Sequence, residues 1–476
     1  MKKSVFVLAA LALAACQREA APEVETVADF VPGPTAFTAQ IEADPASKAV
    51  IGLNDSSKPQ TFWENRDSIS VYSSKDTDLK SATGHKFVTT LDAKATEATF
   101  VWDGTGNALP AGDYLATYPY RSAARGVNFG TNPYRVAAVD VPKAQTLVAG
   151  SYDRKACPMV AFAAQGSNSM QFKNAAALLK FRVAEDDIVA GRIEVDAADK
   201  ISGRFRADVN TTTHVPTLET YTASGVEQYN YIDFKIDGTT ALATETDYYV
   251  AICPTTLSSG IKIYLNGNLV KSINASQLAA IERNKIYNLG TLSTPATPAE
   301  KKLFFDFTVT PKTGWPRNST EAAGRTNAAG GCPCVYPLYG TDYTFILADC
   351  TGASGSRVYW SNTVTYGHRI VFENAERYLG VPAIEGYKLV HITAVSAQLN
   401  DEAASTSPKV GVVTQVVANK AAQTYVSGGS LQTWKPGNNH ESYEYSLSST
   451  EGNTVYYLFA KIKGGIASLT LTYIPI

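Results

Sequence analysis

Residues 261–273 read IKIYLNGNLVKSI, two short runs rich in branched and aromatic residues that flank Asn266-Gly267. An Asn-Gly pair favours a two-residue turn with positive φ at both positions, because these residues tolerate that backbone conformation best. The stretch therefore predicts a β-hairpin. The alternation of half-buried strands also recurs elsewhere, at 69–71, 100–102, 177–183 and 469–473.

The composition favours an all-β fold. Tyrosine (26 residues) far outnumbers tryptophan (5) and methionine (3), and clusters of turn-forming residues separate short strand candidates. These features are typical of sandwiches and not of helical bundles or doubly wound sheets. One short helix is predicted over 275–283, where Asn274 can cap the open amides.

Changes in composition divide the chain of 476 residues. The region 16–35 is acidic, alanine-rich and interrupted by proline, which predicts a flexible tether. Pro295 and Pro298 discourage helix and central strand, and predict a linker between independently packed bodies. The expected segments are a leader (1–15), the tether (16–35), two β-sandwiches (36–165 and 166–292), the linker (293–302) and a third sandwich (303–476).

The N-terminal residues carry a processing signal. An apolar run, Val5 to Ala15, follows Lys2 and Lys3 and leads directly into Cys16. The run is too short to span a bilayer, and small residues before a cysteine are typical of a segment that is removed. We expect lipid attachment at Cys16 and anchoring to the outer membrane at the cell surface. Two acyl chains anchor stably, since each buried methylene contributes about 0.8 kcal/mol.

The charge is balanced, with 42 Lys plus Arg against 44 Asp plus Glu, so no basic field would follow a phosphate backbone. Nucleic acid is therefore not an expected partner. The five histidines are scattered, and neither H-E-x-x-H nor G-x-S-x-G occurs. We expect no catalytic residues and no cofactor. Two carboxylates far apart in sequence could still form a glycosidase, and that alternative stays open.

Five cysteines remain beside Cys16, an odd number. Cys332 and Cys334 are too close for an easy mutual bridge, so either could pair with Cys350, and Cys334–Cys350 is the possible disulfide that we retain. No histidine or fourth cysteine lies at ligand spacing, and no metal is expected. Cys157 and Cys253, each followed by proline, are predicted to be buried thiols.

Six segments resemble, in order, elements of the fimbrillin family, the pilins and fimbrillin-like lipoproteins of gut and oral Gram-negative anaerobes. The first is FWENRDSISVY at 62–72, in which Arg66 stands where the family usually has glycine. A long side chain cannot take a positive-φ turn cheaply, so the match is weaker there. The others lie at 111–120, 172–181, 193–203, 248–254 and 285–290.

The resemblance implies two transthyretin-like β-sandwich domains in an exported lipoprotein. Family subunits are trimmed near an N-terminal Arg or Lys, lose a strand, and accept a strand from the next subunit in the groove so opened. Lys48 and Arg66 are the candidate trimming sites. Shaft subunits of the family donate their C-terminal strand, so a further body at 303–476 is more natural in a tip, anchor or stand-alone protein.

The C-terminal body shows eight strand candidates and fits a jelly roll, and residues 378–389 resemble a segment of galactose-binding-like jelly-roll domains. Such sandwiches bind glycans by stacking sugars on aromatic rings beside polar groups. The strand candidates are 304–307, 343–347, 358–360, 369–372, 387–392, 443–447, 455–462 and 469–474. The candidate ligand patch comprises Trp315, Trp360, Trp434, Asp349, Asn362, His368 and Arg369.

Two hypotheses follow. The preferred one is a non-catalytic surface lipoprotein of the fimbrillin type with a structural or adhesive role in cell adhesion, as a pilus tip, anchor or accessory component. Its partners would be the membrane through the lipid, and other pilus subunits through strand addition. The alternative is a lipoprotein of a polysaccharide uptake system, in which the C-terminal body holds a host or dietary glycan.

Overall fold

The computed structural model describes residues 30–42, 46–49, 61–79, 83–123, 126–130, 132–237, 240–297, 299–322, 331–349, 357–363, 367–373, 376–397, 407–417, 423–435 and 440–476. Within these ranges the fold is all-β, as predicted, with 35 strands, one 3-10 turn (Arg154–Ala156) and one four-residue helix, α1 (Ser319–Ala322). No helix in these ranges is both long and apolar enough to cross a membrane.

The N-terminal strands build a closed seven-stranded barrel in the order β1-β11-β10-β6-β3-β4-β5. Alternate residues point inward and fill it with Phe37, Phe87, Phe100 and Phe172, all fully buried. The strands of this part are β1 (Ala36–Ile41), β2 (Ala46–Ala49), β3 (Ser68–Ser73), β4 (His85–Thr89), β5 (Glu97–Trp102), β6 (Tyr114–Tyr118), β7 (Val127–Asn128), β8 (Tyr134–Val141), β9 (Ala144–Leu147), β10 (Met159–Ala163) and β11 (Ser169–Asn174).

The next strands form further sheets that also take in earlier strands. The orders are β18-β12-β23-β2, then β15-β14-β8-β7 with β16 beside β14, and β21-β20-β13-β17-β9. Strands on either side of residue 165 are thus interleaved. The strands are β12 (Ala177–Val183), β13 (Ala190–Glu194), β14 (Ser202–Val209), β15 (Pro216–Glu219), β16 (Gln228–Tyr229), β17 (Tyr231–Ile236), β18 (Tyr248–Ile252), β19 (Thr255–Thr256), β20 (Ile261–Leu265), β21 (Asn268–Ile273), β22 (Ala280–Ile281) and β23 (Lys285–Leu292).

The predicted hairpin is confirmed. Leu265 pairs with Asn268 across the turn, and φ is 45° at Asn266 and 80° at Gly267. Both central residues therefore have the positive φ that the Asn-Gly pair was expected to supply.

The predicted helix at 275–283 is wrong. Asn274 does cap the segment, since its Oδ1 accepts the N–H of Gln277 at 3.2 Å. Only one turn forms, because Ala280 and Ile281 enter β22 and pair with β19 instead.

The C-terminal strands form two antiparallel groups around one core that includes Phe305, Phe345, Trp360 and Leu469. One group is β25-β26-β29-β34-β31-β32. The other contains β24, β27, β28, β30, β33 and β35, and it is continuous with the sheet of β21, β20, β13, β17 and β9, because β24 pairs with β21. The strands are β24 (Lys301–Asp306), β25 (Cys332–Leu338), β26 (Thr341–Asp349), β27 (Val358–Ser361), β28 (Arg369–Phe372), β29 (Arg377–Gly380), β30 (Tyr387–Ala397), β31 (Lys409–Val413), β32 (Gln432–Thr433), β33 (Ser442–Ser446), β34 (Tyr457–Ile462) and β35 (Gly464–Pro475).

Each of the eight predicted C-terminal strands overlaps an observed strand, and β25, β29, β31 and β32 were not predicted. Pro333 and Pro337 in β25 speak against a strand by sequence, but they are compatible with an edge strand, and β25 pairs only with β26. The jelly-roll connectivity stays a prediction. The linker predicted at 293–302 ends inside β24, whose Lys301 pairs with Asn268 of β21.

Candidate functional site

The first described strand, β1, lies between two neighbours of the barrel. It is antiparallel to β5, with Phe37 opposite Phe100, and parallel to β11, with Ala39 opposite Met170. The side chains of Phe37 and Ala39 are fully buried. Because β1 closes the barrel, its removal would expose the backbone edges of both β5 and β11.

Trp63, from the first of the fimbrillin-like segments, holds β1 in place. Its indole N–H donates to the carbonyl oxygen of Ala39 at 3.0 Å. Its ring, fully buried, packs edge to face against Phe100, Tyr118 and Phe172 at centroid distances of 4.9, 5.3 and 5.3 Å. The tryptophan of this segment therefore joins the N-terminal strand, through its indole N–H, to a cluster of rings on β5, β6 and β11.

The turn after Trp63 is fixed by Asp67. Its carboxylate accepts the backbone N–H of Glu64 at 2.7 Å and the Tyr118 hydroxyl at 3.2 Å, and it pairs with Arg154. Arg154 also pairs with Glu64 at 2.6 Å. Burial and the Asp67 charge raise the pKa of Tyr118, so the phenol stays protonated and donates. Arg66 is exposed with φ of 66°, so this turn contains the positive φ that a glycine adopts with the least strain.

The second N-terminal strand, β2, leaves the barrel and joins the sheet of β23. It is parallel to β23, with Lys48 opposite Tyr287, and among the described residues β23 is the one strand with which it pairs. The side chain of Lys48 lies outside the described ones. β1 thus lies in the barrel, and β2 lies in the sheet of β23.

Glu42, which follows β1, forms an ion pair with Arg283, which lies two residues before β23. Its Oε1 accepts from Arg283 Nη1 at 2.6 Å, and its Oε2 lies 3.3 Å from Arg283 Nη2. The same Arg283 Nη1 donates to the carbonyl of Asn174 at 2.6 Å. The two side chains are 14% and 22% exposed, so solvent weakens the pair little. Sequence reasoning missed these residues, because no local motif marks a pair so far apart in the chain.

The last strand, β35, lies in the middle of its sheet. One side pairs with β30 from Tyr387 to Ala397, and the other side pairs with β28 and then β24. Nine of its twelve residues are buried, among them Ile466, Leu469 and Tyr473. Both edges of β35 are therefore paired within the chain.

The predicted ligand patch is wrong in its three tryptophans. Trp315, Trp360 and Trp434 are 2%, 0% and 0% exposed, so no sugar can stack on them. Their indole N–H groups donate to Val335 O at 2.6 Å, Phe307 O at 2.8 Å and Tyr445 Oη at 3.2 Å. The rings of Trp315 and Trp360 contact each other at 5.1 Å, and they are core residues.

The described polar members of that patch make hydrogen bonds within the chain. Asn362 is exposed, and its backbone N–H donates to Arg317 O at 3.2 Å. His368 Nδ1 lies 3.1 Å from Ser361 O, and Arg369, 1% exposed, donates to Gly367 O at 2.6 Å. The side chain of Asp349 lies outside the described ones, so a polar site at these residues stays a prediction.

The cysteines give no metal site in the described part of the chain, where no cluster of three or more ligating side chains occurs. The Sγ atoms of Cys332 and Cys334 are 3.7 Å apart, too far for a mutual bond. Cys350 and Cys16 lie outside the described residues, so their disulfide and lipid stay predictions. Cys157 and Cys253 are buried as predicted, and burial raises the pKa of the Cys157 thiol to about 12.

No family model matches the chain, and no curated protein matches it. Among solved structures, a candidate cell adhesion protein from Bacteroides uniformis is 17% identical, with 48% of this chain and 87% of that one covered and a TM-score of 0.30. One from Bacteroides ovatus is 16% identical, with 55% and 92% covered and a TM-score of 0.29. A fimbrial protein from Bacteroides ovatus is 13% identical, with 66% and 65% covered and a TM-score of 0.23. Scores this low do not establish a common fold.

Proposed function

We propose that this chain is a lipid-anchored, non-catalytic surface protein with a structural or adhesive role. The observation that carries the proposal is the placement of residues 36–49, whose β1 closes the barrel while β2 extends the next sheet. A strand held this way is a removable part, because the backbone edges that it leaves could be satisfied by an extended strand from another chain.

The proposal assigns trimming to Lys48 and not to Arg66. Lys48 lies in β2, which has a single neighbouring strand and can detach from one side. The Arg66 turn is held by Asp67 and by the two ion pairs of Arg154, and cutting there would also remove Trp63 from the barrel core. Proteases need a locally open segment, so the edge strand is the better substrate.

The position of β35 favours a terminal or accessory subunit over a shaft subunit. A shaft subunit must accept one strand and donate another. β35 is paired on both sides, and unlike β1 it has no proposed cleavage site that would free it. Cys16 would carry the lipid that places the untrimmed chain in the outer membrane, facing outward, as a stand-alone adhesin or anchor. Cleavage at Lys48 would separate the body from that lipid and leave a strand-accepting form that presents its C-terminal body, as a pilus tip.

The glycan-binding alternative is not advanced. It depended on exposed tryptophans in the C-terminal body, and all three are buried. Another set of residues would have to supply the stacking platform.

Protease shaving of intact cells tests the surface role. We expect peptides from the C-terminal body to be released without lysis, whereas release only after lysis would refute adhesion. Controlled tryptic cleavage tests strand replacement. After cleavage at Lys48, a labelled peptide with the sequence of residues 36–49 should bind, and uncut protein should not bind it.

Matched peptides sharpen this experiment. A peptide with Phe37→Asp should fail to bind, because this side chain is fully buried in the barrel. A peptide with Gln40→Lys should still bind, because this position is exposed and lies opposite Glu97, whose charge suits a lysine. Equal binding of both would show that the peptide does not occupy the β1 position.

A further inference from the structure

The sheet of β13, β17, β20 and β21, called the second sheet below, is joined to the C-terminal body by many contacts. Arg192 on β13 lies between two rings, with its guanidinium carbon 4.2 Å from the Tyr231 centroid and 4.7 Å from the Phe304 centroid. Tyr231 belongs to the second sheet and Phe304 to β24 of the C-terminal body. A single side chain thus joins the two bodies through ring contacts on both of its faces.

The charge of Arg192 is neutralised inside this contact. Its Nε and Nη2 donate to the two Asp233 oxygens at 2.6 and 2.9 Å, and only 6% of Arg192 is exposed. Burial alone lowers the pKa of Arg192, but the Asp233 carboxylate outweighs it and raises the pKa. The bidentate pair keeps the guanidinium plane in the orientation that both rings require.

The backbone of the β20–β21 hairpin makes the second part of the contact. Leu269 N donates to Glu300 O at 2.9 Å, and Lys302 N donates to Gly267 O at 2.8 Å. A Cβ atom on Gly267 would lie 2.7 Å from Leu303 Cδ2 and 3.2 Å from Lys302 O. The glycine of the Asn-Gly turn therefore serves both the positive φ and the close approach of β24.

Side chains of β13 and β20 make further contacts with Glu300 and Lys302. The Tyr264 hydroxyl donates to Glu300 Oε1 at 2.6 Å, and Lys262 Nζ lies 3.5 Å from the same oxygen. Lys302 pairs with Glu194 of β13. The residues on either side of Lys301, Glu300 and Lys302, are thus each bound to β13 or β20 at the point where the chain enters β24.

We propose that these contacts form a closed junction, so that the chain does not bend where it enters β24 and the C-terminal body has a fixed orientation on the second sheet. The junction comprises Arg192, Tyr231, Asp233, Gly267, Glu300, Lys302 and Phe304. A surface on the C-terminal body is then presented in one direction, and a load applied to it passes through the junction without bending it.

Hydrogen exchange measured by mass spectrometry on the full chain tests the proposal. In the wild type, the amides of Leu269 and Lys302 should be protected. Arg192→Ala should speed exchange in peptides covering 267–270 and 300–303 at least tenfold, with the barrel unchanged. The matched control is Arg206→Ala, which breaks an arginine–aspartate pair with Asp208 away from the junction and should leave these peptides as in the wild type.

Two glycine variants distinguish an effect on the junction from the strain that alanine causes in any positive-φ turn. Gly267→Ala and Gly225→Ala both force alanine into positive φ, of 80° and 71°, but only the first meets atoms within 4 Å. Gly267→Ala should open the junction and admit a glutamate-specific protease at Glu300, and Gly225→Ala should not. Unprotected amides in the wild type, or cleavage at Glu300 equally fast in wild type and both variants, would overturn the proposal. A circular dichroism spectrum confirms that each variant is folded.

Discussion

Glu42 and Arg283, 241 positions apart in the chain, form a two-point ion pair. Glu42 directly follows β1, and Arg283 lies two residues before β23, the strand that pairs with β2. The pair therefore links the end of β1 to the sheet that contains β2.

Breaking this pair should loosen both strands. We expect Glu42→Ala and Arg283→Ala each to lower the free energy of unfolding by about 1–3 kcal/mol, because each leaves a partly buried charge without its partner. The double variant should cost less than the sum, as urea denaturation in a double-mutant cycle would measure. Additive effects would contradict the coupling.

Trp63→Phe should destabilise β1 selectively. The change removes the indole bond to Ala39 and part of the core volume, at a cost of about 1–3 kcal/mol. Trypsin should then cut at Lys48 faster than in the wild type. Trp102→Phe is the matched control, since its indole N–H donates to Thr105 O at 3.3 Å in an exposed loop. Similar tryptic rates for both variants would argue against the role of Trp63.

Pro333 and Pro337 should protect the edge of β25. Val335 lies between them, and its carbonyl accepts from Trp315 on the side away from β26. Backbone groups two residues apart in a strand point to the same side, so the nitrogens of both prolines also face away from β26. The prolines thus remove donors from the free edge. We expect Pro333→Thr with Pro337→Thr to cause concentration-dependent association in size-exclusion chromatography. Val335→Thr, on the same strand, should remain like the wild type.

Gln145 should contribute strongly to the stability of the fold, although its side chain is polar. It is 3% exposed, and its amide both accepts from Ala251 N at 2.9 Å and donates to Ala251 O at 2.7 Å, which closes the edge of β18. Gln145→Ala should lower the free energy of unfolding by about 2–4 kcal/mol, because two buried backbone groups lose their partner. Gln432→Ala, whose amide lies at the surface, should cost about 1 kcal/mol or less in the same thermal or urea measurement.

Asp247 should contribute to acid unfolding. Burial raises the pKa of its carboxyl, but the hydrogen bonds from Arg182 and Lys180 outweigh it, so the pKa lies below the ordinary 3.8. A lowered native pKa gives stability that is present above the unfolded pKa and is lost as the pH falls through the native one. Asp247→Asn should cost about 2 kcal/mol at pH 7. In urea titrations the difference from the wild type should shrink below pH 4, and a constant difference would contradict this origin.

Local sequence patterns predicted the local elements of this fold. The Asn266-Gly267 hairpin and the eight C-terminal strands follow from alternation and turn chemistry, which neighbouring residues decide. The predicted helix over 275–283 was wrong because Asn274 caps a single turn and Ala280 then pairs with β19. Such pairing depends on a distant strand and not on neighbouring residues.

The candidate site was less predictable, since it depends on contacts between distant parts of the chain. Trp63 was singled out by its motif, but nothing near Glu42 or Arg283 in sequence indicates their pairing. The tryptophans of the C-terminal body were placed at the surface because they lie near loop residues. Whether a tryptophan is buried depends on the side chains that pack on it from the opposite sheet. The sequence around that tryptophan does not indicate which side chains these are.

The central position of β35 has a consequence for how the chain acquires its shape. Its partners β24, β28 and β30 precede it by up to about 170 positions, so the C-terminal body is dominated by contacts of high sequence separation, which slow folding. Its sheet cannot be completed before β35 itself is free to pair. Under the proposed export to the cell surface, the chain would have to stay unfolded while it crosses the membrane. Late completion of this sheet would keep the C-terminal body unfolded until the last strand has crossed.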